Sequence, residues 1–108
     1  MKLITAFIRP EKLHDVKCAL FAETIYSMSV TNVLGAGQQK GYTEIYRGVM
    51  TEVNLLKKLR LELGVADDRA DAAVRAIAEA GRTGKEGDGV VFVSELVAAQ
   101  RIRTGEAL

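Results

Sequence analysis

The sequence holds one cysteine, one histidine, one proline and no tryptophan in 108 residues. A lone Cys18 excludes an internal disulfide, and such cysteine usage is expected of a cytosolic protein. One His and one Cys are also too few for a structural zinc site, which takes about four ligands. His14 and Cys18 stand four residues apart and can share a helix face, but two ligands seldom fix a metal by themselves. An excess of charge is lacking too. Fifteen basic and 14 acidic residues leave a net charge of +1, without the surplus of a bulk nucleic-acid binder. No apolar run approaches the roughly 20 residues of a membrane span. Leu3 to Ile8, followed by Arg9 and Pro10, is too short for the apolar region of a secretory signal. A single histidine cannot supply a Ser–His–Asp set, and no carboxylate pair stands out as acid and base. Catalytic groups are therefore hard to find from the residues alone.

What is present fits one globular domain. The chain is 48% hydrophobic and 27% charged, which excludes disorder. A chain of this length buries roughly two-thirds of its unfolded surface, enough for one modest core. Lys2 to Arg9 reads as a strand, with Pro10 stopping the ladder and opening a helix. From Glu11 to about Glu23, Leu13, Val16, Leu20 and Phe21 recur at helical spacing. Ser27 to Leu34 returns to β-type composition. Lys57 to Leu63 alternates strictly, with Leu59, Leu61 and Leu63 on one face and Lys58, Arg60 and Glu62 on the other. Asp67 or Asp68 is placed to cap a second helix carrying Ala70, Ala73, Val74, Ile77 and Ala80. Val90 to Val97 reads as the last strand.

Between the second and third of these strands lie about twenty residues with no clean period. Gly35, Gly37 and Gly41 open the stretch. A connection that long inside a compact domain is usually functional. Local pattern alone leaves a partner-contacting loop and a plain β-hairpin extension equally open. The overall order, strand–helix–strand–long loop–strand–helix–strand, is the α+β, ferredoxin-like split βαβ pattern (βαββαβ). It implies a four-stranded antiparallel sheet with both helices on one face. The strands carry apolar residues on both sides, so the other face needs cover. Phe7, Met28 and the Leu59 series are the residues expected there, with oligomerisation as the cover.

Two features bear on chemistry. Gly81 to Gly89 contains four glycines in nine residues, within Thr83-Gly-Lys-Glu-Gly-Asp-Gly89. Glycines let successive N–H groups converge on an anion, and Lys85 adds charge. The segment leads into a strand and lacks the GK[ST] ending of a P-loop, so a tight helix-to-strand turn explains it as well. Arg101 and Arg103 stand two apart. In extended backbone both guanidiniums point the same way and can meet one polyanion, although a solvated basic tail has the same sequence.

These motifs resemble the PII signal-transduction family. The resemblance is carried by Gly37-Gln-Gln-Lys-Gly41, Thr43-Glu-Ile-Tyr-Arg-Gly48, Thr83-Gly-Lys-Glu-Gly-Asp-Gly89, Arg101-Ile-Arg-Thr-Gly-Glu106 and the opening Ile8-Arg-Pro-Glu-Lys-Leu13. It runs end to end with almost no gaps. It implies a single domain over residues 1–108 that assembles as a homotrimer. A T-loop over about 37–55, a B-loop over about 81–90 and a C-terminal loop over about 98–108 follow from it. ATP or ADP is then expected between subunits, at Gly35, Gly37, Gln38, Glu62, Thr83, Gly87, Asp88, Gly89, Val90, Arg101 and Arg103. Gln39 and Lys58 match positions for 2-oxoglutarate and for Mg²⁺ carried with ATP, Gln39 being the metal ligand. The T-loop residues Tyr42, Glu44, Tyr46, Arg47, Val49 and Thr51 are expected to meet a partner. That partner is an ammonium channel or another transporter, or a regulatory or metabolic enzyme, and no nucleic acid.

The chain departs from the family pattern at four positions. Gln38 stands where an arginine is common, and Val90 where a lysine follows Gly-Asp-Gly. Both losses weaken charge for a triphosphate, unless Lys85 or Arg82 substitutes. Thr51 replaces the tyrosine that is uridylylated in many members, and Val49 replaces the serine phosphorylated in others. Neither covalent switch is expected to operate. Readings beside nitrogen regulation are a variant PII-like sensor of a carbon, bicarbonate or metal-efflux system, and a small phosphoryl-handling enzyme such as an acylphosphatase or slow ATPase. A CutA-like metal-tolerance trimer fits less well, since His and Cys are scarce.

Overall fold

The computed structural model describes residues 1–36, 42–46, 49–53 and 55–108, the stretches 42–46 and 49–53 by their backbone. Strand β1 (Lys2–Ile8) alternates inward Ile4, Ala6 and Ile8 with half-buried Leu3, Thr5 and Phe7. Pro10 opens a 3₁₀ turn, because its fixed φ suits a helical start and its missing N–H is not needed there. Helix α1 (Leu13–Ala22) follows and buries Val16 and Leu20. Strand β2 (Ser29–Gly35) precedes a hairpin of β3 (Tyr42–Tyr46) and β4 (Val49–Val53), then β5 (Leu56–Val65), helix α2 (Ala70–Gly81) and β6 (Gly89–Glu95).

The main sheet has the order β2-β5-β1-β6, and every neighbouring pair is antiparallel. This is the expected ferredoxin-like arrangement, with β1 and β5 central. The helices cover one face. Ile4, Leu20, Leu61, Ile77 and Val16 are its largest fully enclosed side chains, and no polar side chain is buried among the described residues. Helix α2 contributes Ala70, Ala73, Ala76 and Gly81, small residues that let it lie close to the sheet and α1.

Four expectations need correction. The Leu59 series and Met28 do not line the open sheet face. Leu59, Leu61 and Leu63 are core residues under the helices, and Met28 packs against that core. Pairing places Lys58, Arg60 and Glu62 on the open side, beside Thr5 and Phe7 of β1 and Val90 and Phe92 of β6. Phe7 and Phe92 meet edge to face, 6.4 Å between centroids. The open face is thus a charged half beside an aromatic half. Neither Asp67 nor Asp68 caps α2, which starts from a 3₁₀ turn whose Arg69 N–H donates to the Ala66 carbonyl. Asp67 instead accepts from the Met1 ammonium at 2.8 Å, and the acidic first turn suits the helix dipole. The last strand ends at Glu95, short of Val97: its partner β1 starts at Lys2, opposite Glu95, and one further in-register bond, Leu96 N–H to the Met1 carbonyl, closes the ladder. The fourth correction concerns the C-terminal arginines and belongs with the site.

The unpatterned stretch holds a hairpin, paired from Tyr42↔Val53 to Tyr46↔Val49 as its own two-stranded sheet. Gly35 pairs with Leu56 in the main sheet. The chain therefore leaves the sheet after β2 and rejoins it at the same point, so both ends of the excursion share one rigid root.

Candidate functional site

The glycine-rich segment after α2 is built around one carboxylate. Asp88 accepts the backbone N–H of Thr83 at 2.8 Å and of Gly84 at 2.9 Å, and also the Thr83 hydroxyl. Arg9 donates from Nε to Asp88 at 3.0 Å and from Nη2 to the Glu86 carbonyl at 2.6 Å. Local sequence explains the first set: a short acidic side chain five residues after a threonine can close a loop on its own N–H groups. The Thr83 hydroxyl and then the neighbouring N–H groups and Arg9 hold the Asp88 carboxyl far below the usual carboxylate range, outweighing the opposing effect of its partial burial. Gly84, Gly87 and Gly89 all have positive φ, between 86° and 103°. Only glycine takes that conformation without strain, which is why they punctuate the loop.

Arg9 reaches the loop from the end of β1. Sequence reasoning passed over it, since a contact between residues 79 apart leaves no local mark. Its one signal is its place before Pro10, where the pre-proline backbone is held extended (φ −65°, ψ 137°) and directs it off the strand end.

Lys58 comes from β5 and donates from Nζ to the Gly87 carbonyl. Burial, and then Arg9 nearby, push its ammonium below the ordinary lysine range. An anion bound beside Lys58 would favour its charged form and oppose both effects. The Lys58 stem runs against Gly35, where an added Cβ would lie 3.3 Å from Lys58 Cγ.

These groups border one cleft of about 770 Å³, lined by Gly35, Ala36, Leu56, Lys58, the run Lys85 to Val90, Phe7 and Phe92. The cleft thus joins the glycine loop to the root of the 36–55 excursion. Of the residues singled out from sequence, Gly35, Lys58, Gly87, Asp88, Gly89 and Val90 line it. Thr83 braces Asp88 from behind. Glu62 does not reach the cleft but pairs with Arg60 on the open sheet face, Oε1 to Nε 3.4 Å. Gly37, Gln38, Gln39 and Arg47 lie outside the described residues. Tyr42, Glu44, Tyr46, Val49 and Thr51 are placed on the hairpin by backbone alone.

Arg101 and Arg103 do not lie on extended backbone. Residues 102–104 form a turn, closed by Gly105 N–H on the Arg101 carbonyl at 2.9 Å and Arg101 N–H on the Glu106 carbonyl at 2.8 Å. The i, i+2 alignment argument therefore fails. The reason is local: Gly105 at φ +71° and the Gln100↔Ala107 bridge let the tail fold back on itself. Both arginines are exposed and neither lines the cleft of its own chain.

Taken together, these features define an α+β domain with a glycine-rich loop, braced on Asp88, set at the base of a long excursion. Comparison with known proteins is specific. The family model described as Nitrogen regulatory protein P-II matches residues 1–106. Nitrogen regulatory protein GlnK of Escherichia coli (strain K12) is 48% identical over 107 residues, covering 99% of this chain and 96% of that protein. Nitrogen regulatory protein P-II of Cereibacter sphaeroides is 52% identical over 106 residues, 98% and 95% of the two chains. The P-II protein of Rhizobium etli is 50% identical over the same length, with the same coverage. The chain belongs to the nitrogen regulatory protein P-II family of signal-transduction regulators.

Proposed function

We propose that this protein is a non-enzymatic, cytoplasmic homotrimer that binds ATP or ADP between subunits and controls a partner through its T-loop. One observation carries the reading: the anion cradle and the root of the 36–55 excursion share a single cleft. A ligand that orders the cradle must also touch the root. Its binding energy can then bias the excursion between a partner-competent and an incompetent arrangement. The partner is a membrane transporter such as an ammonium channel, or a regulatory or metabolic enzyme. Residues 1–108 act as one domain, with Gly87 to Gly89 for the α- and β-phosphates and Arg101 and Arg103 supplied across the subunit boundary. That both arginines are exposed and neither lines its own cleft supports that role. Glu62, on the open sheet face outside its own cleft, meets the adenine across the subunit boundary, and the residues at 37–39 with Lys58 complete the Mg²⁺ and 2-oxoglutarate contacts. The exposed Phe92 and Val90 beside Phe7 support burial of the open sheet face against further copies.

Light scattering at micromolar concentration should give three times the monomer mass of 11.7 kDa. A monomeric mass would sink both the trimer and the intersubunit site. Calorimetry should then show saturable binding of ATP and ADP, with 2-oxoglutarate bound only when Mg²⁺ and ATP are present. Loss of nucleotide affinity in Arg101→Ala and Arg103→Ala would mark the tail as part of the site.

The balance of nucleotides should lean toward ADP. Val90 lines the cleft where a positive group would favour a γ-phosphate. Val90→Lys should strengthen ATP binding by about 1.5–3 kcal/mol, the scale of one charge-assisted hydrogen bond. A wild type that already prefers ATP strongly, with the variant no better, would show that Lys85 already supplies that charge.

A further inference from the structure

The cleft carries both signs of charge. Among the described residues, Lys58, Lys85, Glu86 and Asp88 are the charged ones that line it. Asp88 is turned into the loop, matched by Arg9 and by two backbone N–H groups. Lys58 is committed to the Gly87 carbonyl. Lys85 and Glu86 are left, adjacent at the loop tip, both exposed and of opposite sign. The backbone that carries Glu86 is held: Arg9 donates to its carbonyl at 2.6 Å, and Asp88 takes the Thr83 and Gly84 N–H groups before the tip. Among the described residues, no ion pair neutralises its carboxylate.

The chemistry of such a lining is asymmetric. Backbone N–H dipoles accept one or two phosphate groups without needing full positive charges. Each further phosphate adds negative charge, which Lys85 attracts and the neighbouring Glu86 carboxylate opposes. Beside the cradle the lining turns apolar, with Val90 next to Phe7 and Phe92. We propose that Glu86 is a charge-selectivity residue of this cleft, which lowers its affinity for a phosphate-bearing ligand the more, the more phosphate charge that ligand carries. The inference rests on the nucleotide reading above and concerns the same cleft. It is separate from the absent lysine at position 90, since it names a repulsive group that is present.

The test compares wild type with Glu86→Gln, titrated with AMP, ADP and ATP at fixed low salt without divalent metal. A parallel series uses inorganic phosphate, pyrophosphate and tripolyphosphate. One unit charge acting over several ångströms in a partly solvated cleft corresponds to about a five- to tenfold change in affinity. The ATP affinity of the variant should rise by about that factor, ADP by less, and AMP should stay within about twofold. The gain should shrink as salt is raised, because screening removes it. Equal gains for all three nucleotides, or none, would overturn the selectivity while leaving the nucleotide reading intact. Graded gains in the inorganic series with no nucleotide bound by either protein would support Glu86 and overturn the nucleotide reading. No binding in either series would sink both.

Discussion

Gly89→Ala is expected to be the most damaging single substitution in the described chain, costing about 3 kcal/mol or more and opening the β1–β6 edge. Gly89 is the first residue of β6, paired with Ile8, at φ +103°. A Cβ built there would lie 1.7 Å from the Phe7 carbonyl oxygen and 2.8 Å from its carbon. Those are backbone atoms of a central strand, so neither can rotate aside as a side chain would. Relief requires separating Phe7↔Val90 and Ile8↔Gly89, which would pull the cradle off the sheet. Gly84→Ala is the control. It has a similar positive φ of 86° but nothing within 4 Å of a new Cβ. It should cost only backbone strain, about 1–2 kcal/mol. Urea midpoints of the two variants decide the matter: equal losses would mean that strain in φ, rather than the Phe7 contact, makes glycine necessary at 89.

The second large effect is on binding. Asp88→Ala removes the acceptor for Thr83 N–H, Gly84 N–H, the Thr83 hydroxyl and Arg9 Nε. These groups are near the surface and regain water, so the fold should survive with its unfolding temperature moved by only a few degrees. The proposed phosphate site should not survive, because the loop conformation that would shape it is imposed by Asp88. Nucleotide affinity is expected to fall on the order of a hundredfold, the scale of two lost charge-assisted hydrogen bonds. Wild-type affinity in the variant would show that the glycines alone shape the loop. The same carboxylate sets a pH window. Its folded-state value lies below its unfolded one, so its contribution is full above the ordinary Asp range near pH 4 and is lost only as pH falls further. Between pH 7 and about 4, loop integrity should therefore not decline on account of Asp88. A loop that loosened near pH 5 in wild type, but not in Asp88→Asn, would contradict that.

The main elements were legible because their signals are local. The alternation of Lys57 to Leu63 became β5, and the helical spacing of Val16 and Leu20 became the inner stripe of α1. The glycine-rich loop and the motifs at 37–48 and 101–106 pointed to the family that the comparisons then showed. The hairpin of β3 and β4 was only half legible, because its two strands are five residues each and their mixed polarity gives no single period. The face of the sheet taken by Met28 and the Leu59 series was misread. Alternation says which residues share a face, and it is silent on which face the helices will cover. The C-terminal arginines were misread for a related reason: i, i+2 alignment presumes a strand, and a glycine four residues after Arg101 allowed a turn instead.

The sequence by itself determined the domain class, the run of strands and helices, the glycine-rich loop at residues 83–89 and membership in the P-II family. Each of these depends on residue type and short spacing, and the backbone expresses them wherever the chain goes. Only the tertiary structure decided that Arg9 would hold Asp88 and the Glu86 carbonyl, that Lys58 would meet Gly87, and that Gly35 would face Leu56 at the root of the excursion. Those contacts join residues from 21 to 79 positions apart. They exist because antiparallel pairing sets β1 between β5 and β6, which brings the ends of three strands and the glycine loop to one corner of the sheet.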